Sequence, residues 1–471
     1  MKKTKSKSNN IMKAAYIFFA LFLLLMGYFS YFLLFTAKDV VNNPYNKRQE
    51  AFANKVVRGK IYSSNYDVLA QTIVDESGNE TRVYPYDNLF AQTVGYNTNG
   101  KLGLELEYNY NLLSSDANGF EKIINEFKDK KNIGNNIITT LDVDTQKTAS
   151  NALGNNSGAI IVLEPDTGKV LAMVSKPDFN PNQISEIYDE LVANNEETSL
   201  NNRVTTGLYT PGSTFKIFTL LEFIRENKAT YENYKYQCTG SITTDGITVS
   251  CYNNTVHGSE NLLSSFANSC NSSFINLGLT LNKTQFTKNN NKLLFNSKLP
   301  LKFSYSESEF NLDENTTNFM TAQTVMGQGE TRVTPIHMAM VVSAIANEGV
   351  LMDPYMVEYI ENYQGTVVEK FQSKKYGKLI KASEAEILKT YMREVVLHGT
   401  ASELNSNLYT AYGKTGTAQI DSGGKENSWF VGYAEKDGKK IAVAIVFEQV
   451  NPGQKYGVNA AKQIFDEYFN S

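Results

Sequence analysis

The sequence predicts an α+β main domain, an antiparallel sheet flanked by helices, held beyond a membrane by one N-terminal helix with a small domain between. Three observations carry that expectation. Strand-like segments punctuated by turn residues stand at residues 158–175 and again at 412–448, so the two ends of one region can share a sheet while helical patterns fill the interval. A nearly unbroken apolar stretch occupies residues 14–35. The chain of 471 residues is long enough for two or three domains with substantial cores.

The apolar stretch comes first. At about 1.5 Å rise per residue such a helix spans roughly 30 Å, the thickness of a bilayer core. Lys2, Lys3, Lys5, Lys7 and Lys13 precede it. The positive-inside rule then places residues 1–13 in the cytoplasm and everything after Lys38 outside. The stretch is too long for the apolar region of a signal peptide, and no A-x-A cleavage site follows it, so an uncleaved single-pass anchor is expected.

Residues 36–137 show a mixed pattern without a catalytic signature and read as a small pedestal domain. Asn42-Asn43-Pro44 reads as a linker. Arg58-Gly59-Lys60-Ile61-Tyr62 reads as a short strand leading to a turn, and residues 104–113 and 119–127 carry helical spacing. From residue 138 to 471 the pattern sharpens into the main domain. A helix is expected from about Asp142, with Asp142 or Asp144 as its cap. Residues 158–163 form an apolar strand, Pro165-Asp166-Thr167-Gly168 a turn, and residues 169–175 the return strand. Strands at 412–420, 428–434 and 441–448 are separated by Asp421-Ser422-Gly423-Gly424 and Asp437-Gly438. Val458, Ala461, Ile464, Phe465, Tyr468 and Phe469 mark a closing helix.

Composition excludes several function classes. With 45 basic and 49 acidic residues, the net charge of −4 offers no basic footprint for nucleic acid. At 41% hydrophobic residues the chain is not of disordered composition. The three histidines, His257, His337 and His398, are far apart in sequence and form no H-E-x-x-H pattern. Neither a metal site nor a Ser-His-Asp triad is therefore expected, and no cofactor. His257 and His398 each precede a glycine, which suggests turn or packing roles. Cys238 and Cys251 are read either as a short disulfide loop outside the cytoplasm or as two separate buried thiols. Cys270 is read as a packing residue.

Serine chemistry with a lysine base remains. Ser213-Thr214-Phe215-Lys216 follows the break at Pro211-Gly212 and opens an apolar run. Residues three apart share a helix face, so Lys216 can reach Ser213. A serine hydroxyl needs a base, and a lysine can serve once burial or a nearby cation such as Lys414 lowers its pKa. The Ser213 backbone N–H, near a helix start, can donate to an oxyanion. Ser269-Cys270-Asn271 lies on a polar turn, where Ser269 can relay a proton and Asn271 can hold Lys216 or a substrate carbonyl. Lys414-Thr415-Gly416-Thr417 lies on a strand; Gly416 permits close approach of a ligand, and Lys414, Thr415 and Thr417 can bind a terminal carboxylate. The Thr417 N–H is a second oxyanion donor, and its strand can pair with an extended peptide.

These three motifs in this order resemble those of the penicillin-binding proteins and class A β-lactamases. Gly327-Gln328-Gly329 with Thr334-Pro335, and Trp429-Phe430-Val431-Gly432, resemble further family signatures. The resemblance covers residue 138 onward and is weaker in the pedestal. There Arg58-Gly59-x-Ile61 matches, as do Gly103-x-Glu105 and Tyr108, but Ser63-Ser64 replaces the usual Asp-Arg, which puts the family's pedestal salt-bridge cluster in doubt. The short interval between anchor and main domain leaves no room for a glycosyltransferase domain, so the chain is similar to the class B, monofunctional members. The resemblance implies a D,D-transpeptidase that cross-links peptidoglycan stem peptides through a Ser213 acyl-enzyme and is inhibited by β-lactams. It also implies a membrane glycan polymerase of the SEDS type as partner. The alternatives are a membrane-anchored β-lactamase, for which Glu307-Ser308-Glu309-Phe310-Asn311 offers an E-x-x-L-N-like stretch, and a largely non-catalytic scaffold.

Overall fold

Five antiparallel strands form the principal sheet of the computed structural model, which describes residues 2–32, 54–116, 118–128, 130–194, 198–420 and 424–470. Their spatial order is Thr410–Gln419, Glu426–Lys436, Lys439–Val450, Gly158–Leu163 and Val170–Lys176. The expected closure of one sheet by both ends of the region is thus present, with Ile445 opposite Ile160 at the seam. Residues 158–163 and 441–447 are buried without alternation, so both faces of the central strands are covered. The covers are the closing helix Tyr456–Asn470 with its neighbour Val143–Leu153, and the helix Pro335–Ala346.

Each cover begins where its sequence allows. Asp142 accepts from the Thr145 N–H at 2.8 Å and caps the Val143–Leu153 helix. Thr334 accepts from His337 N, and Pro335 follows at the first helical position, where its missing N–H is no loss. All residues of Pro335–Ala346 are buried, which explains why it is apolar around its whole circumference.

The first helix, Lys2–Tyr31, carries an apolar span over Ile11–Tyr31 that is long enough to cross a membrane. It coincides with the expected anchor as far as residue 32. Residues 33–35, the Asn42-Asn43-Pro44 linker and the turn at 421–423 lie outside the described residues.

The second sheet has six strands, in the order Val367–Lys370, Val357–Glu361, Asn136–Thr139, Ile61–Tyr62, Val68–Val74 and Glu80–Val83. Only the pairing of Ile61–Tyr62 with Asn136–Thr139 is parallel among its described ladders. A hairpin from late in the chain therefore completes a sheet begun in the pedestal segment, and the boundary expected at residue 138 runs through a shared strand.

The middle of the chain departs from the helical expectation. Ser241–Thr244 pairs with Ile247–Ser250, and Lys235–Cys238 with Gly258–Asn261. Asp245-Gly246 joins the first pair with φ of +51° and +77°, the left-handed geometry that suits a two-residue hairpin loop. That Asp-Gly signal was legible but lay between strands too short to show a period.

The pedestal keeps a buried ion cluster despite Ser63-Ser64. Glu105 is fully buried and receives Arg58 Nε at 2.5 Å and Arg82 Nε at 2.7 Å. Arg58 Nη1 also donates to Asn109 Oδ1, and Arg82 Nη1 to the Gly59 carbonyl. Desolvation pushes the Glu105 carboxyl up, but the two guanidiniums outweigh it and hold the group below its ordinary value. Glu105→Gln leaves two buried guanidiniums without a counter-charge and is expected to cost about 3–5 kcal/mol in thermal unfolding of the full chain in detergent. Glu80→Gln, which breaks the half-exposed pair with Lys131 at 2.6 Å, is expected to cost less than about 1 kcal/mol.

Candidate active site

Pro211-Gly212 does not start an α-helix directly. Gly212–Phe215 forms one 3-10 turn, and the α-helix Lys216–Glu226 follows. With about three residues per turn, that geometry stacks position 216 over position 213. Lys216 and residues 217–224 are buried. Ser213 lines a cavity of about 880 Å³ together with Ser269, Asn271, Thr400, Thr415 and Thr417.

Lys216 lies beneath that cavity at 0% exposure. Its Nζ donates to the Ser269 carbonyl at 2.7 Å, to Asn271 Oδ1 at 2.7 Å and to Ser269 Oγ at 3.3 Å. Phe274 closes one side, with its ring centroid 5.4 Å from Nζ. Among the described residues Ser213 Oγ has no hydrogen-bond partner, so the hydroxyl faces the cavity uncommitted.

Burial pulls Lys216 down to about 7, while negative charge on Cys270 or Cys251 works the other way. Lys414 is equally buried, with Phe266 5.5 Å from its Nζ. Burial and then repulsion from Lys216 bring it well below its ordinary value. The sequence expectation that Lys414 lowers Lys216 is thus reversed in emphasis. Burial accounts for Lys216, and the repulsion between the two is felt at Lys414.

Ser269 has φ +57°, a strained conformation for a residue with a Cβ. Cys270 then stands at the N-terminal boundary of the Asn271–Gly278 helix without a side-chain capping bond, and Asn271 Nδ2 reaches back to the Ser250 carbonyl at 3.2 Å. That anchoring keeps the Ser269 and Asn271 oxygens aimed at Lys216.

The Thr410–Gln419 strand is an edge of the principal sheet. Thr415 and Thr417 alternate with buried Lys414 and Gly416, so the two hydroxyl residues share the cavity face. Close approach explains the glycines. A Cβ on Gly416 would lie 2.7 Å from Thr214 Cγ2, and one on Gly212 would lie 2.4 Å from the Thr417 carbonyl oxygen. Gly212 N donates to Gly327 O at 2.8 Å, and Trp429 Nε1 donates to Thr210 O at 3.1 Å. Gly327 therefore ties down the Ser213 turn and Trp429 the residue just ahead of it, and both were singled out in the sequence.

Two features escaped sequence reasoning. Thr400 Oγ1 lies 2.5 Å from Thr415 Oγ1 and lines the cavity. No motif marks it; only Gly399, whose Cβ would lie 2.4 Å from Ala267 O, hints at a close crossing. Second, Cys238, Cys251, Cys270 and His257 converge, with donor atoms all within 4.8 Å of one another. The sequence reading gave His257 a turn or packing role, Cys270 a packing role, and Cys238 and Cys251 either a disulfide or two separate buried thiols; it did not bring the four together. Cys238 and Cys251 are free thiols 3.8 Å apart. Glu307 is exposed in an irregular segment and does not line the cavity.

Comparison with known proteins follows from this geometry. The family model described as the penicillin binding protein transpeptidase domain matches residues 158–470. The peptidoglycan D,D-transpeptidase MrdA of Acinetobacter baumannii is 27% identical, over 82% of this chain and 66% of its own length. Stage V sporulation protein D of Bacillus subtilis is 29% identical, over 81% and 62%. The peptidoglycan D,D-transpeptidase PbpA of Mycolicibacterium smegmatis is 25% identical over 94% of each chain. The chain spans just under two thirds of the length of the first two. Among solved structures, the D,D-transpeptidase domain of a peptidoglycan glycosyltransferase from Eggerthella lenta superposes with a TM-score of 0.79 at 28% identity, covering 88% of this chain and 99% of that one. Penicillin-binding protein A of M. tuberculosis, solved as an imipenem acyl-enzyme complex, shares the fold with a TM-score of 0.79 at 22% identity, covering 88% and 99%. Motif order, sheet topology and family match agree, and the chain belongs to the penicillin-binding protein transpeptidase family.

Proposed function

We propose that this protein is a peptidoglycan D,D-transpeptidase that works through a Ser213 acyl-enzyme and is trapped by β-lactams. The observation that carries the reading is a buried Lys216, held by Ser269 and Asn271 one 3-10 turn from Ser213, under a cavity bounded by Thr415 and Thr417.

The chemistry follows from the positions. A lysine brought near neutrality by burial is partly unprotonated at pH 7 and takes the Ser213 proton as the oxygen attacks the D-alanyl-D-alanine carbonyl. The backbone N–H groups of Ser213 and Thr417 stabilise the oxyanion. Ser269, hydrogen-bonded to Lys216, passes a proton to the departing D-Ala amine. An amine of a second stem peptide then reverses the sequence and leaves a cross-link. The free edge of the Thr410–Gln419 strand suits an extended peptide, and Lys414, Thr415 and Thr417 suit its carboxylate or that of a β-lactam. The apolar helix Ile11–Tyr31 serves as a single-pass anchor with the catalytic domain outside, next to a SEDS-type polymerase. Relatives named as peptidoglycan D,D-transpeptidases support the reading. The exposed position of Glu307, away from the cavity, weighs against a β-lactamase.

Intact mass after penicillin, followed over hours, is expected to show one stable adduct that Ser213→Ala abolishes. Rapid loss of the adduct with release of penicilloate would indicate a β-lactamase, and no adduct at all would leave the scaffold reading. The second-order acylation rate is expected to rise about tenfold per pH unit below neutrality and to level off above the Lys216 pKa of about 7, because lowering that pKa makes the free amine available as pH rises. A flat profile from about pH 5 to about pH 8 would remove Lys216 as the base. Lys216→Ala is expected to slow acylation by about 10²–10⁴-fold without preventing folding.

A further inference from the structure

The pedestal helix Gly119–Phe127 is turned the wrong way round for a soluble domain. A surface helix ordinarily lays its apolar stripe on the core and its polar face in water. Here Phe120, Ile123, Ile124 and Phe127 stand at i, i+3, i+4 and i+7 and form one continuous stripe. Phe120, Ile123 and Phe127 are 72%, 53% and 88% exposed, and Ile124 is half-buried. The polar side is the one the protein holds. Glu121 accepts from the Tyr363 hydroxyl and from Gln364 Nε2 at 3.4 Å, and Asn125 Nδ2 donates to Asn132 Oδ1 at 3.0 Å. Single apolar residues on a surface need no explanation, but a stripe held outward by its own polar face does.

Two further observations say what covers it. After the membrane-length helix the chain enters the pedestal at Val56–Val57, and that strand pairs in parallel with Asn132–Ile133. Asn132 N donates to the Lys55 carbonyl at 3.1 Å. Phe127 precedes Asn132 closely in sequence, so it lies within about 20 Å of the point where the chain arrives from the anchor. The stripe is also flanked by cations. Residues 119–131 carry four lysines against three acids, and one of those acids, Glu121, is turned to the protein. Lys55, Lys128 and Lys130 are exposed. Aromatic and aliphatic residues on one face with lysines beside them are the features of a helix lying in a bilayer interface, and lysines are drawn to anionic headgroups.

We propose that the Gly119–Phe127 helix lies on the outer face of the bilayer, with Phe120, Ile123, Ile124 and Phe127 in the zone between headgroups and acyl chains. The occupant of the stripe is anionic lipid, and the helix is a second membrane contact beside the anchor. Two contacts fix the tilt of the pedestal, which one helix and a linker cannot. The six-stranded sheet shared with Val357–Glu361 then carries that tilt to the main domain. The proposal rests on the reading of Ile11–Tyr31 as a membrane anchor.

The test uses the full chain reconstituted into vesicles of phosphatidylglycerol and phosphatidylcholine, with lipids brominated just below the headgroups as quenchers. Phe127→Trp is expected to add a fluorescence that the brominated lipids roughly halve. Buried Trp429 supplies a constant background. Val192→Trp, at an exposed apolar position of the main domain, is expected to show no quenching. Phe120→Ser with Ile123→Ser is expected to abolish the quenching of Phe127→Trp while the thermal-unfolding midpoint stays unchanged, since both side chains are exposed. Tyr28→Trp, within the anchor, separates the two readings. Quenching at position 28 but not at 127 would overturn the proposal, and no quenching at either would overturn the anchor reading with it. Quenching at 127 that survives the double serine change would overturn the role of the stripe. Absence of quenching in vesicles, with a photo-crosslinker at position 127 capturing a membrane protein or a second copy of the chain in cells, would replace lipid by that partner and overturn the proposal.

Discussion

Two lysine ammonium groups with no exposed surface lie beneath one cavity, and the cost of burying them orders the rest of the site. A buried cation without partners is prohibitively unfavourable, so it either loses its proton or recruits acceptors. Lys216 does both, with a lowered pKa and acceptors at Ser269 and Asn271. Those acceptors must stand in a fixed direction, which the strained Ser269 backbone and the helix starting at Asn271 provide. Ser213, one turn away, thus has a buried amine of lowered pKa as its neighbour.

Holding such a site open requires that backbones come closer than ordinary side chains permit. Gly212, Gly327 and Gly416 each sit where a Cβ would strike a neighbouring segment within 2.2–2.7 Å at its nearest contact. The Ser213 turn is thereby wedged between the edge strand and the Gly327 loop, and the Trp429 indole ties the chain just ahead of it. Three segments remote in sequence pack as one wall. A hydroxyl set in such a wall needs little reorganisation to meet a group bound in the cavity.

Some of this was legible in residue order. The Ser213–Lys216, Ser269–Asn271 and Lys414–Thr417 motifs announced themselves through residue type and order, and the structure brings all three to one cavity. The long strands at both ends of the main region were readable because their apolar runs are bounded by turn residues. The short hairpins at 235–261 were not, because four-residue strands show too little periodicity to outweigh a helical prior. The Glu105 cluster is a related case. The motif that usually accompanies it is interrupted at Ser63-Ser64, yet Arg58 and Arg82 still converge on the same carboxylate.

The sequence by itself determined the anchor-like helix, the α+β class, the two-ended sheet and the identity of the serine, lysine and threonine groups, since each is a local pattern. Tertiary structure decided what distance in sequence conceals. It set the depth at which Lys216 and Lys414 are buried, and hence which protonation state is available. It joined Val357–Glu361 to Asn136–Thr139, and set Thr400 against Thr415. It also drew Cys238, Cys251, His257 and Cys270 from four different elements into one cluster. Side-chain chemistry is written residue by residue, but desolvation and ligand geometry are properties of the packed chain, and neither exists until the chain has folded.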